Sequence, residues 1–350
     1  MNFRCLSFVA GLAVLVSAAA AQVAPHSVPS ATTAVRQTWV VPRTADGHPD
    51  LQGFWANNSA TPLERPKELA GRQFLTDQEV AAFKRKAAEL FNGQGDAAFG
   101  DTVFQTVLAN VTGTKSGFKS TDGTTGDYSS IWTVEREWDN RTSLITDPPD
   151  GRLPAMTTEG QRRREANLAA MNRLPAGPED RPLQERCITY GSPQLTAGYQ
   201  SYYQILETPG AVVFMTEMIH DTRVIPLDGR PHLPSTIHQW LGDSRGHWEG
   251  DTLVVDTTNY KPRSFMSVSS EKLHVTERFS RTGPDSLTYE ITIDDPGTWT
   301  KPWSLMISLK RSSKPIFEYA CHEGNIGMTG ILAGARAEER TAKTAENKNK

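Results

Sequence analysis

From Tyr199 onward the sequence is a train of short runs with alternating apolar side chains, each closed by a turn signal. Tyr202–Glu207 ends at Thr208-Pro209-Gly210, and Ala211–His220 follows. Thr222–Leu227 ends at Asp228-Gly229. His247-Trp248, Glu249-Gly250 and Asp251–Tyr260 read as a tight hairpin. Leu273–Arg278 leads to the turn Gly283-Pro284-Asp285-Ser286, and Leu287–Ile293 leads to Asp294-Asp295-Pro296-Gly297. Trp303–Leu309 and Ile316–His322 complete the series. Such regular strands with short turns predict a mainly β fold, an antiparallel up-and-down sheet that closes into a barrel. A sandwich is the alternative.

The segment before this meander has a different texture. Residues 1–21 carry one positive charge at Arg4, an apolar stretch from Leu6 to Val16 and the alanine run Ala18–Ala21. That pattern fits a cleaved signal peptide, cut after Ala21. The apolar stretch is short for a membrane span, which takes about 20 residues. Cys5 precedes the stretch, which argues against a lipid anchor. The expected location is therefore periplasmic or secreted, with no membrane anchor after cleavage.

Residues 22–45 read as a flexible leader, with order beginning near Gly47. A single domain is expected over 46–335, with a helical insertion at about 56–198. A polar tail follows Ala333 over 336–350, with room for a short helix. Within the insertion, Thr76-Asp77-Gln78-Glu79 is a capping box ahead of an apolar stripe of Val80, Phe83, Ala87, Leu90 and Phe91. A second helix is expected from Thr158, carrying Arg162-Arg163-Arg164 as a solvated face, then Leu168 and Met171. Residues 94–130 are rich in Gly, Thr, Ser and Asp and predict a long loop. A short strand is expected at Thr142–Thr146, closed by Asp147-Pro148-Pro149-Asp150-Gly151.

The Gly53-Phe54-Trp55 strand and the C-terminal meander resemble lipocalin-like (calycin) barrels. Two longer stretches, Gly246-His247-Trp248-Glu249-Gly250-Asp251-Thr252-Leu253-Val254-Val255-Asp256-Thr257 and Asp295-Pro296-Gly297-Thr298-Trp299-Thr300-Lys301-Pro302-Trp303, resemble a group of exported bacterial proteins with such a barrel. The resemblance covers roughly residues 47–335. It implies a fold and export, and brings no chemistry with it. The insertion at 56–198 departs from a minimal barrel and counts against a simple open cup.

Strand period sorts the faces. Leu287, Tyr289, Ile291 and Ile293 are expected to point inward, as are Trp303, Leu305, Ile307 and Leu309, and Phe317, Tyr319 and Cys321. On the strand from Leu273 the inward set is Leu273, Val275, Glu277 and Phe279. Glu277 is thus a carboxylate in an apolar row. A buried acid is costly unless paired, and a raised carboxyl pKa is what acid–base catalysis uses. Two readings stay open. In one, Glu277 works with Tyr289 and a mouth group of His220, Asp221, His238 and His322. In the other it is a structural partner of Arg223 or Arg278. Arg223, Trp240, Trp303, Tyr319 and Glu323 are candidate ligand contacts.

Six of the eight histidines lie between residues 220 and 322. His274 is expected to face outward. The spacings match no metal motif, so no metal and no cofactor is expected. There is no nucleophile elbow, phosphate loop or dinucleotide fingerprint. A net charge of −3 with no long basic tract excludes nucleic acid and anionic membrane as natural partners. Cys187 and Cys321 remain after signal cleavage, as a disulfide in an oxidising compartment or as two buried thiols. The partner left is a small molecule. It is either an apolar or aromatic ligand held in the barrel, or the substrate of a cofactor-independent lyase, isomerase or hydrolase. An envelope or structural protein is a third reading, with a filled barrel and a large apolar outer patch.

Overall fold

The computed structural model describes residues 39–91, 100–114, 136–195 and 197–348. The expected signal peptide, most of the expected leader and most of the expected 94–130 loop lie outside these residues. Ten strands form one mainly antiparallel sheet: β1 (Gly53–Ala56), β2 (Ile145–Asp147), β3 (Tyr202–Thr208), β4 (Ala211–Thr216), β5 (Thr222–Pro226), β6 (Asp243–Glu249), β7 (Thr252–Thr258), β8 (His274–Gly283), β9 (Ser286–Asp294) and β10 (Trp303–Ser312). The helices are α1 (Asp77–Leu90), α2 (Thr102–Val111), α3 (Thr158–Met171) and α4 (Gly327–Lys348).

The hydrogen-bonded order is β5-β4-β3-β1-β10-β9-β8-β7-β6, with β2 beside β10. The sheet is not closed into a barrel, which corrects the sequence expectation, because no backbone ladder joins β5 to β6. The two borders meet through side chains instead. A Cβ at Gly246 of β6 would lie 2.9 Å from Ile225 Cγ2 of β5, so only hydrogen fits there. The sheet also curls until β4 and β5 face β8 across its interior. Phe214 of β4 sits 5.4 Å from Phe279 of β8, ring to ring.

Alternation builds the core. On β9, Leu287, Tyr289, Ile291 and Ile293 are buried, and on β10 so are Trp303, Leu305, Ile307 and Leu309. Their neighbours Thr288, Glu290 and Thr292 face out, so a one-residue slip would bury three polar groups. Phe279 and Tyr289 are cross-strand partners and stack at 4.4 Å. Side chains from most of the strands fill the space, with Trp55, Tyr203, Phe214, Phe279, Tyr289 and Trp303 the bulkiest.

The insertion has a core of its own. Thr76 and Glu79 exchange the two capping-box bonds that start α1. Phe83 then packs edge-on against Phe104 of α2 and Trp138. Helix α2 falls inside the segment expected to be loop, since Val103, Phe104, Val107 and Leu108 give it a buried face. Order begins before Gly47, with Arg43 bridged to Pro49. The tail extends the 22-residue α4, which starts at Gly327.

Residues 316–322 form no strand, although their alternation resembles one. Phe317 is exposed and Tyr319 and Cys321 are only half-buried, so this set does not enter the core. The segment is pinned piecewise instead. The Phe317 N–H donates to Glu217 Oε2 at 2.9 Å, and Cys321 is disulfide-bonded to Cys187.

Candidate functional site

Glu277 sits on the inward face of β8, fully buried. Arg223 reaches it from β5 with two prongs, Nη1 to Oε2 at 2.5 Å and Nη2 to Oε1 at 2.8 Å. Tyr289, its diagonal neighbour on β9, donates its hydroxyl to Oε1. Among the described residues Arg223 and Tyr289 are the hydrogen-bond partners of Glu277. Burial opposes the Arg223 charge, but the Glu277 carboxylate more than reverses this and raises its pKa. Burial, then the Glu277 charge, pushes the Tyr289 phenol well above its ordinary value, so it stays a donor. Arg278, the other candidate partner, faces outward and pairs with Glu249.

The expected mouth group is spread over separate local bonds. Asp221 accepts from Thr189 Oγ1 at 2.7 Å and Tyr190 N at 3.0 Å. His220 Nδ1 donates to Tyr319 O, and His238 Nδ1 donates to Tyr260 O. His322 and Glu323 are exposed. Trp240 carries the Lys261 ammonium over its ring at 4.6 Å. Trp303 is fully buried, with Nε1 lacking a partner among the described residues. His274 does face outward, but it pairs with Asp256, which also binds His232. Among the described residues no group of three or more His, Cys, Asp or Glu is placed to hold a metal ion.

The cavities lie elsewhere. A groove of about 930 Å³ runs beside α3, lined by Leu153, Met156, Leu168, Met171, Met266 and Trp299 among others. Its size is that of a small-molecule site. An adjoining pocket of about 330 Å³ shares Met266 and Ser267 with it and sets Thr189, Tyr190, Gln194, Arg263 and Ser264 beside an apolar wall that includes Leu63, Leu183 and Phe265. A third cavity of about 540 Å³ lies where Tyr319 and Cys321 meet the start of α4. Glu277 lines none of these three.

Local structure explains the groove. Thr157 caps α3 by accepting the Gly160 N–H. Gly160 lets the helix start lie directly on Thr298, where a Cβ would meet the carbonyl oxygen at 2.5 Å. Arg163 is a clamp rather than a solvated residue, donating to Val268 O, Gly297 O and Thr298 Oγ1. The far end of α3 is left standing off the sheet, with Leu168 and Met171 half exposed at 50% and 54%. The opposing loop holds Arg263, Met266 and Ser267 at φ of 68°, 48° and 58°. Such left-handed residues cost about 1–3 kcal/mol each and gather at ligand clamps.

Sequence reasoning placed Leu168 and Met171 on a helix but gave them no role. Two large apolar residues on an otherwise polar helix were the available signal. The loop residues carry no periodicity and gave none.

No protein-family model, curated protein or solved structure matches the chain. The functional reading therefore stands on geometry alone.

Proposed function

We propose that this is an exported binding protein that holds a small apolar or aromatic molecule in the groove along α3. The observation that carries the reading is the groove itself, whose walls keep Leu168, Met171 and Met266 exposed at 50%, 54% and 42%. Large apolar groups gathered around a concave surface mark a ligand site more often than a bare face. Methionine suits such a wall because its flexible thioether adapts to varied shapes. The ligand moves from the sheet interior to this outer groove, because the interior is packed with its own aromatic side chains. The Cys187–Cys321 disulfide supports export to an oxidising compartment, as does the expected signal peptide. Among the described residues no helix is long and apolar enough to cross a membrane. The lyase, isomerase or hydrolase reading through Glu277 has less support, because its carboxylate is saturated by Arg223 and Tyr289 and lines none of the three cavities.

The test is a fluorescence titration with N-phenyl-1-naphthylamine. Wild type should capture the probe, and Leu168→Asp and Met171→Asp should each weaken capture about tenfold or more, from the loss of one buried apolar contact. Equal capture by all three proteins overturns the groove as the site.

A further inference from the structure

The groove does not end at Met266. On the other side of the Met266–Ser267 loop lies the 330 Å³ pocket, and its chemistry differs. It is lined by one cation, Arg263, by Thr189, Tyr190, Ser264 and Ser267, and by no carboxylate. The Arg263 backbone N–H donates to Ser269 O, but its guanidinium has no partner among the described residues. Gln194 lines the same pocket while only 5% exposed, and its Oε1 has no partner there either. A buried acceptor left bare costs about 1–3 kcal/mol and calls for a donor, so the pocket suits a head group that brings a bridging water with it. Arg263, exposed and with no carboxylate among the lining residues, sets the sign of that occupant.

We infer that groove and pocket form one bipartite site for an amphiphilic organic anion, its aliphatic part along α3 and its carboxylate at Arg263. This rests on the groove reading above and names the ligand class. Arg263 supplies a planar fork of donors that matches a carboxylate, and Ser267 and Tyr190 line the pocket beside it. Met266 and Ser267, in left-handed conformation between the two compartments, are where the ligand passes from one to the other.

Dodecanoate and dodecanol, each below its micellar concentration, are compared as displacers of N-phenyl-1-naphthylamine. The variants are Arg263→Gln and Arg164→Gln, the latter removing a cation that lines the groove but not the pocket. Dodecanoate should displace the probe at about tenfold lower concentration than dodecanol, as a charge-assisted bond adds to the shared chain. The preference should vanish in Arg263→Gln and persist in Arg164→Gln. Equal displacement by both ligands in wild type overturns the inference, and so does a preference that survives Arg263→Gln. Failure of both to displace a probe that still depends on Leu168 overturns the inference and leaves the groove reading standing. A probe that does not bind wild type at all sinks the groove reading itself.

Discussion

Arg223 on β5 and Glu277 on β8 meet through two parallel hydrogen bonds although five strands lie between theirs in the sheet order. Their contact marks how far the sheet curls. It also places a charge pair where the neighbours are Phe214, Phe279 and Tyr289. Removing one partner strands the other charge in that setting. Arg223→Met alone should cost about 3–5 kcal/mol, whereas Arg223→Met with Glu277→Leu should be far closer to wild type. Urea unfolding of the single and double variants checks this, and additive losses would show that the two residues are not coupled.

Glu207 gives the fold a pH dependence. Burial, opposed by the Leu51 N–H it accepts and helped by nearby Asp50 and Asp46, raises its carboxyl from 4.5 to about 7. The folded state therefore holds this proton more tightly than the unfolded chain does. The contribution is most favourable below the unfolded value and is lost as pH rises through about 7. Melting temperature should fall between pH 5 and pH 8 in wild type. Glu207→Gln keeps an acceptor for Leu51 and should flatten this part of the profile. An unchanged slope in the variant would place the effect elsewhere.

Gly160 ties the groove to the sheet. With 2.5 Å to Thr298 O, an added methyl forces α3 away from its seat. Gly160→Ala should destabilise by about 1–3 kcal/mol despite alanine being the better helix former. It should also weaken probe capture, since α3 forms one wall of the groove. Probe affinity that stays at the wild-type value would detach the seat of α3 from binding.

The Cys187–Cys321 bond closes a loop of 134 residues. The denatured chain gains much freedom when it is removed. Cys187→Ser with Cys321→Ser should lower stability by about 2–5 kcal/mol. Guanidinium unfolding under oxidising conditions measures it, and a wild-type midpoint would mean the tether constrains little.

The inward row of β8 was legible because period two is a local property, and it singled out Glu277 with Tyr289. The sequence reading left Arg223 and Arg278 as partners, although the same period points Arg278 outward. Only the direction of each side chain decides between them, and Arg278 follows Glu277 by one residue, so it faces out to Glu249. The expected closure into a barrel does not form, and the strand order was not legible. It depends on β1 slotting between β3 and β10, a pairing of segments about 150 and 250 residues apart that no local pattern encodes. The Ile316–His322 run alternates like a strand, yet a disulfide and a few single hydrogen bonds hold it instead of a ladder. Met266 and Arg263 sit on a loop whose shape comes from backbone angles, which composition does not announce.

Where Gly246 faces Ile225, the wall is joined by methyl contacts and by no amide pairs. Such a junction slides more easily than a ladder, since parting the two strands breaks no backbone hydrogen bond. The molecule thus carries a line of mechanical weakness running parallel to β5 and β6, and deformation under stress or heat should begin there while the β8–β9–β10 side keeps its registry.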